Sequence, residues 1–467
     1  MFRVKLAVKM SSVALVGILA IPAAAYAGNE EVDMPEPTAP NAFKSLSDEM
    51  RVEVFLHLNA DELKSVRVVS EEFQRIADDW ALWKHNSAQL PARELFRLRK
   101  VNPALEDIAD DEVARRMPLS SVAGTGDVFP LGQPVPAATD NIPGSDETLA
   151  FPMGLATDDA GNTYIAEGGR HQVRRVSPDG TISTVAGSGA YGQEGDGGDA
   201  LHAQLGGPTD VVLDRAHNLL YIADMTLHLV RCVDLNTGII STVAGINTPQ
   251  QVGADDLAVN IALFMPLSIA VDSGGNLFIA ELGRNRIRRV DFMTNVITTV
   301  AGTGVAGSSD DGINATEANL NAPNGIAVDS EHNILYIADS QNHLVRQVDL
   351  STNVISTVAG TGVRGDGPDG LEALDTALDL CDDVHLDAER RHLYISDTGN
   401  HRIRRLDLST NRMSTVIGTG VAGNSVNGML PYSTSVQHPA GVVQDHLGNV
   451  LFTDIDTQRV WRFLPQL

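Results

Sequence analysis

A short hydrophobic phrase ending in glycine returns six times along this chain: SSVAG at Val122, STVAG at Val185, STVAG at Val243, TTVAG at Val300, STVAG at Val358 and STVIG at Val416. The intervals are 63, 58, 57, 58 and 58 residues. A period of that length is long for one turn of a solenoid. It suits a propeller blade, a small sheet whose faces stay uncovered until neighbours stack on both sides. The recurrence predicts a ring of like units.

Within each period the same segments follow in the same order. After the phrase at Val300 come a glycine-rich loop, a strand at 325–329 (GIAVD), a tight turn, a strand at 335–339 (LYIAD), a polar link, a strand at 344–349 (LVRQVD), a turn, and a fourth strand at 354–360 (VISTVAG). Short β-branched and apolar runs punctuated by Gly, Asn, Asp and Ser are strand and turn signals, and no segment of this region shows a long 3.6-residue period. First strands begin at Gly154, Asp210, Ser268, Gly325, Asp383 and Gly441, which predicts six four-stranded blades. The sixth has residues for three strands, ending with 459–463, while LSSVAG at 119–124 belongs to no unit of its own. That segment is expected to complete the sixth blade and close the ring, leaving no open sheet edge at the seam. Val122 is expected to be buried there.

These residues resemble NHL repeats, whose pattern of P-x-G strand, GNLYIAD, NHRIRRVD and STVAGTG is matched by residues 323–325, 333–339, 342–349 and 356–362. The resemblance covers 118–467 and implies a six-bladed NHL propeller, mainly β, used for binding. Some relatives are lyases that hold a metal through several channel histidines, and others bind RNA through a basic face.

Repetition separates structural from functional candidates. Acidic residues end the second strands (Glu167, Asp224, Glu281, Asp339, Asp397, Asp454), with an arginine seven residues later in five blades (Arg174, Arg231, Arg288, Arg346, Arg404). They are read as ion pairs within the blade, since a group present in every blade serves the blade. His171, His228, His343 and His401 share one repeat position and are read the same way. Loop length selects a face: the loop from the TVAG glycine to the next first strand has 20 residues in five intervals and 27 before Pro152, whereas the turns on the opposite face are tight. Long loops on a rigid scaffold carry recognition.

Variation between copies marks the channel. Blade five is distinct, with Asp382, Asp383 and, two residues on where the other blades have Ala or Val, His385. With Asp210 and Asn324 they form the candidate channel ligand-binding set, read either as polar lining or as oxygen and nitrogen ligands for a divalent cation. No other cofactor is expected. The Arg364-Gly365-Asp366 tripeptide lies in the repeat's own loop, and EGDGGD at 194–199 lacks the spacing of an EF-hand. Neither a phosphate-binding GxxxxGK[ST] nor a GxSxG is present.

With 60 acidic against 34 basic residues the formal net charge is −26, so nucleic acid is not an expected partner. Arg3, Lys5 and Lys9 precede an apolar run at 13–21, and Ala25-Tyr26-Ala27 provides a small-x-small site, so residues 1–27 read as a signal peptide and the protein as exported, periplasmic or secreted. No cysteine follows the cleavage point, so no lipid anchor is expected. Cys232 and Cys381 are expected to be far apart and unpaired.

Residues 28–42 read as an acidic, proline-bearing linker, 43–90 as a helical domain and 91–117 as a helical spacer. Leu46, Met50, Val54 and Leu58 form an apolar helical stripe behind Ser47 as N-cap. The region resembles the F-box: LSDE for its LPxE opening, VFLHLNADELKSVRVVSEEF for its middle, and LWK at 82–84 for its close. Ser47 departs from the usual proline. The resemblance implies docking onto a Skp-type adaptor of a cullin ubiquitin ligase through Leu46, Glu49, Leu58, Leu63, Val69 and Phe73. Three functions stand: a secreted, non-enzymatic interaction protein whose propeller binds a protein partner; an extracytoplasmic ligand-binding propeller with a helical cap; and a metal-dependent hydrolase or lyase at the channel.

Overall fold

The structure is a computed structural model that describes residues 119–128, 137–247 and 256–465. The expected signal peptide, linker, F-box-like domain and helical spacer lie outside the described residues. None of the described helices is long and apolar enough to cross a membrane.

Six antiparallel sheets follow one another, and strand bounds agree with the repeat to within a residue or two. Blade four is built from Pro323–Asp329, Ile334–Asp339, Leu344–Asp349 and Val354–Ala359, paired in chain order. Blade six is built from Pro439–Gln444, Val450–Asp454, Arg459–Phe463 and, as its outer strand, Ser120–Ala123. The register pairs Ser120 with Arg462 and Ser121 with Trp461. The ring therefore closes as the sequence predicts. A bulge between Ser121 and Ala123 shifts the pattern by one residue. Consequently Val122 is half-buried, a correction to the expectation, and Leu119 and Ala123 are the fully buried residues of this segment.

The recurring glycine has a backbone cause. Gly124, Gly187, Gly245, Gly302, Gly360 and Gly418 all have φ between +93° and +102°. A Cβ on any of them would lie 2.2–2.3 Å from the carbonyl oxygen of the residue just before the third strand. Only glycine fits both constraints, and the signature is the imprint of this crossing.

Cores lie between blades, as stacking of two-faced sheets requires. One apolar cluster fills each seam: for example, Phe278, Ile287, Leu335 and Ile337 between blades three and four, and Ile165, Ile182, Leu451 and Val460 between one and six. The residue with left-handed backbone before each third strand ties each seam at the rim. His228 Nδ1 accepts from Met265 N (3.1 Å), Asn285 Oδ1 from Ala322 N (2.8 Å), His343 Nδ1 from Leu380 N (3.4 Å) and Gln458 Oε1 from Phe151 N (2.6 Å). His401 Nδ1 faces Gln437 O at 2.6 Å. The histidines at this position thus bind neighbouring blades together instead of serving their own blade.

The long loops also hold structure. Each lays a short antiparallel segment on the outer strand of the following blade: Ile142 pairs with Ile182, Asp256 with Ile297, and Asn314 bridges to Val354. At the closing blade Gly428 N donates to Leu119 O and Leu119 N to Met429 O, both at 3.0 Å. Blade edges that would otherwise present unpaired N–H and C=O groups are covered.

Candidate functional site

The buried acids at the ends of the second strands clamp the chain as it enters each first strand. Glu167 accepts from Ala150 N (2.7 Å), Glu281 from Phe264 N (2.9 Å), Asp339 from Asn321 N (2.7 Å), Asp397 from Asp379 N (2.8 Å) and Asp454 from His438 N (2.9 Å). Burial pushes Asp339 and Asp397 up to about 6. The arginines approach these acids only loosely, at 3.4 Å for Arg174–Glu167, 3.6 Å for Arg288–Glu281, 4.0 Å for Arg346–Asp339 and 3.5 Å for Arg404–Asp397. In four blades a loop aspartate is closer: Asp140 to Arg174 (2.9 Å), Asp196 to Arg231 (2.5 Å), Asp311 to Arg346 (3.0 Å) and Asp369 to Arg404 (3.0 Å). In blades one, four and five the predicted ion pair thus becomes three-membered, with the loop supplying the short contact, while in blade two the ion pair of Arg231 is with the loop aspartate and not with Asp224. The missed partners were visible as aspartates a constant 35 residues before Arg231, Arg346 and Arg404. Blade six fills the same space with fully buried Trp461.

Three levels of side chains line the channel made by the first strands. At the long-loop mouth stand Met153, Thr209, Leu267, Asn324, Asp382 and Ala440. Asn324 Nδ2 donates to Asp382 Oδ1 at 3.0 Å, and His438 Nε2 lies 3.2 Å from Asp382 Oδ2, a contact that raises the histidine's pKa. The middle ring consists of Gly154, Asp210, Ser268, Gly325, Asp383 and Gly441. Each first strand is irregular in register near this ring, and such bulges re-aim side chains.

Two aspartates, on blades two and five, are held in the same way in this ring. Asp210 accepts from its neighbour Val211 N (2.8 Å) and from Ile269 N (2.9 Å) of the next blade; Asp383 accepts from Val384 N and Val442 N, both at 2.9 Å. Glycines of the preceding blades make the room: a Cβ on Gly154 would meet Asp210 Oδ1 at 2.1 Å, and one on Gly325 would meet Asp383 Oδ1 at 2.3 Å. Burial pushes Asp210 up to about 7, and burial together with the charge of Asp210 pushes Asp383 well above the usual carboxylate range.

Beyond this ring the channel widens into a cavity of about 570 Å3 that opens on the tight-turn side, against about 70 Å3 at the long-loop mouth. Its wall at the third level is Ala156, Val212, Ala270, Ala327 and Val443, with His385 in the sixth place. The face chosen by loop length is therefore not the face with the cavity. Bulky and hydrogen-bonded residues close the long-loop mouth, small aliphatic ones leave the other open, and the loops themselves are spent on blade edges. Burial holds His385 down to about 4, which keeps its imidazole neutral. Arg215, at the rim, donates to Thr157 O at 2.8 Å and was not singled out by the sequence, although its turn, DRAHN, departs from DDAGN and DSGGN. The five candidates are thus spread over three levels: Asn324 and Asp382, then Asp210 and Asp383, then His385. Among the described residues no group of three or more His, Cys, Asp or Glu side chains converges so as to hold a metal ion. Cys232 and Cys381 are free and buried.

On the long-loop face the first half of the loops is exposed. Val128, Tyr191, Val305, Val363 and Val421, each four or five residues past the end of a fourth strand, are 60 to 68 % exposed. Asn342 and Asn400 fix this part of two loops by donating to Gly307 O and Gly365 O, both at 2.8 Å. Arg364 of the RGD tripeptide points into a pair with Asp379 (2.9 Å), and Asp366 lies 3.2 Å from Arg402.

Comparison with known proteins agrees with this architecture. The family model for the Teneurin NHL domain matches residues 89–310, and that for the F-box domain matches 43–85. NHL repeat-containing protein 2 of Bos taurus is 28% identical over 317 residues, 61% of this chain and 43% of the relative. The Arabidopsis thaliana protein SUPPRESSOR OF QUENCHING 1, chloroplastic, is 31% identical over 211 residues, 44% of this chain and 20% of the relative. The chain spans less than half the length of the curated relatives it matches. Among solved structures, a Bacteroides thetaiotaomicron protein of unknown function superposes with a TM-score of 0.55 at 14% identity over 74% of this chain and 75% of that one. An auxiliary nutrient binding protein of the same organism gives 0.53 at 15% over 75% and 76%. At such identity the likeness is one of fold.

Proposed function

We propose that this chain, a six-bladed propeller similar to NHL-repeat proteins with an F-box-like segment, joins two proteins, the propeller binding one and the F-box-like segment docking a Skp-type adaptor of a ubiquitin ligase. The observation that carries the reading is the F-box match at 43–85 on the same chain as a propeller. The recurring exposed apolar side chains Val128, Tyr191, Val305, Val363 and Val421 support it, since repeated apolar groups on loops suit contact with a protein surface. The adaptor is met through Leu46, Glu49, Leu58, Leu63, Val69 and Phe73. Residues 1–27 direct export, so the protein leaves its cell and acts in the cytosol of another.

The test uses the full chain from residue 28 onward. It is expected to co-purify with a Skp-type adaptor, and Leu58→Asp, which places a charge on the apolar stripe, is expected to abolish the complex without changing the melting of the propeller. Absence of any complex with the unsubstituted chain would sink the ligase reading.

A further inference from the structure

Seven polar side chains stand in the three rings of the channel: Thr209, Asn324, Asp382, Asp210, Ser268, Asp383 and His385. Six have partners across a blade boundary: Thr209 Oγ1 donates to Leu267 O (2.8 Å), Ser268 Oγ accepts from Ile326 N (3.3 Å), and the other four bonds or pairs are given above. His385 has no hydrogen-bond or ion-pair partner among the described residues. Five blades place Ala or Val at its position, so the ring packs without an imidazole, and the half-buried side chain of His385 lines the cavity instead. Two residues earlier on its strand is Asp383, faced by Asp210. Neither carboxyl has a cationic side chain in ion-pair contact among the described residues. Both are held by main-chain N–H groups instead.

We propose that the cavity of about 570 Å3 at the tight-turn mouth binds a small organic amine with an apolar body. Its ammonium sits at the Asp210–Asp383 ring and donates to a carboxylate and to the neutral imidazole of His385. Its body lies against Leu155, Val212, Ala270 and Val443. The volume is in the range of small-molecule sites. An anion meets two carboxyls and a chain of net charge −26. A wholly apolar guest would leave the imidazole unpaired, and a divalent metal lacks a converging ligand set among the described residues. A monovalent ammonium satisfies all three groups at once.

Calorimetric titration of the full chain with phenethylamine, 2-phenylethanol and 3-phenylpropanoate tests this. The amine is expected to bind at least tenfold tighter than the alcohol, and the carboxylate not at all. His385→Ala and, separately, His385→Gln are expected to weaken the amine tenfold or more, as is Asp210→Asn, which removes the more readily ionised carboxyl of the pair. Asn324→Ala, at the other mouth, is expected to leave binding unchanged. Equal binding of amine and alcohol, no binding of the amine, or amine binding indifferent to both His385 variants would overturn the proposal.

Discussion

Asp339 shows what a single side chain does in each blade. It is fully buried, accepts from Asn321 N (2.7 Å) and Asn342 Nδ2 (2.7 Å), and stands 4.0 Å from the equally buried Arg346. Asp311, half-exposed, makes the shorter contact with the same arginine at 3.0 Å. Distance alone would rank Asp311 first; burial reverses the order, because a charge next to solvent is screened and replaced cheaply. Asp339→Ala is expected to cost about 3–5 kcal/mol, as it leaves the Asn321 N–H without its acceptor and the buried Arg346 with only the solvent-facing Asp311. Asp311→Ala is expected to cost about 1 kcal/mol or less. Denaturant midpoints of the two variants decide it, and equal losses would reverse the assignment of roles. The recurrence of acid and arginine made the pair legible in the sequence. It could not show that the acid's main work is to hold main-chain N–H groups, because that depends on where the preceding loop returns.

At the scale of the element, the decisive piece is Ser120–Ala123, the outer strand of blade six. A chain lacking residues 1–117 keeps it; a chain lacking 1–124 loses it, together with the bonds of Leu119 to Gly428 and Met429. The first is expected to remain soluble and unfold cooperatively. The second exposes Arg459–Phe463 as an unpaired edge and opens the cluster containing Trp461 and Phe463, and is expected to aggregate or to melt well below the first. Within the full chain, Leu119→Ala is expected to cost about 2–5 kcal/mol. Equal melting temperatures for the two truncated chains would mean that this strand does not close the ring. The closure was readable because one copy of the phrase had no blade and one blade lacked a strand. The burial of its residues was not: the bulge that trades Val122 for Ala123 leaves no mark on an alternating pattern. Loop length misled in the same way, since a loop that pairs with a blade edge and a loop free to bind have the same composition.

For the whole molecule the six seams, and the channel they surround, set how stability responds to pH. Asp210, at about 7, and Asp339 and Asp397, at about 6, hold protons in the folded propeller where the unfolded chain, with aspartate near 3.9, has released them. Their contribution is complete below the unfolded value and is lost as pH rises through 6 and 7. His385 and His392, both held at about 4 by burial, act in the opposite sense, contributing fully above the unfolded value of about 6.5 and losing that contribution as pH falls toward 4. The propeller is therefore expected to gain stability from pH 8 down to about 6 and to go on gaining between 6 and 4.5, where three aspartates outweigh two histidines. Asp210 alone accounts for about 1–1.5 kcal/mol between pH 8 and 6, as follows from a folded value of about 7. Asp210→Asn should flatten that limb and also lower the further gain between pH 6 and 4, because an amide still fits beside Gly154 but no longer titrates. Unfolding free energies of the two proteins at pH 8, 6 and 5 measure this directly. An unchanged slope in Asp210→Asn would mean that the middle ring is open to solvent and its carboxyls ordinary.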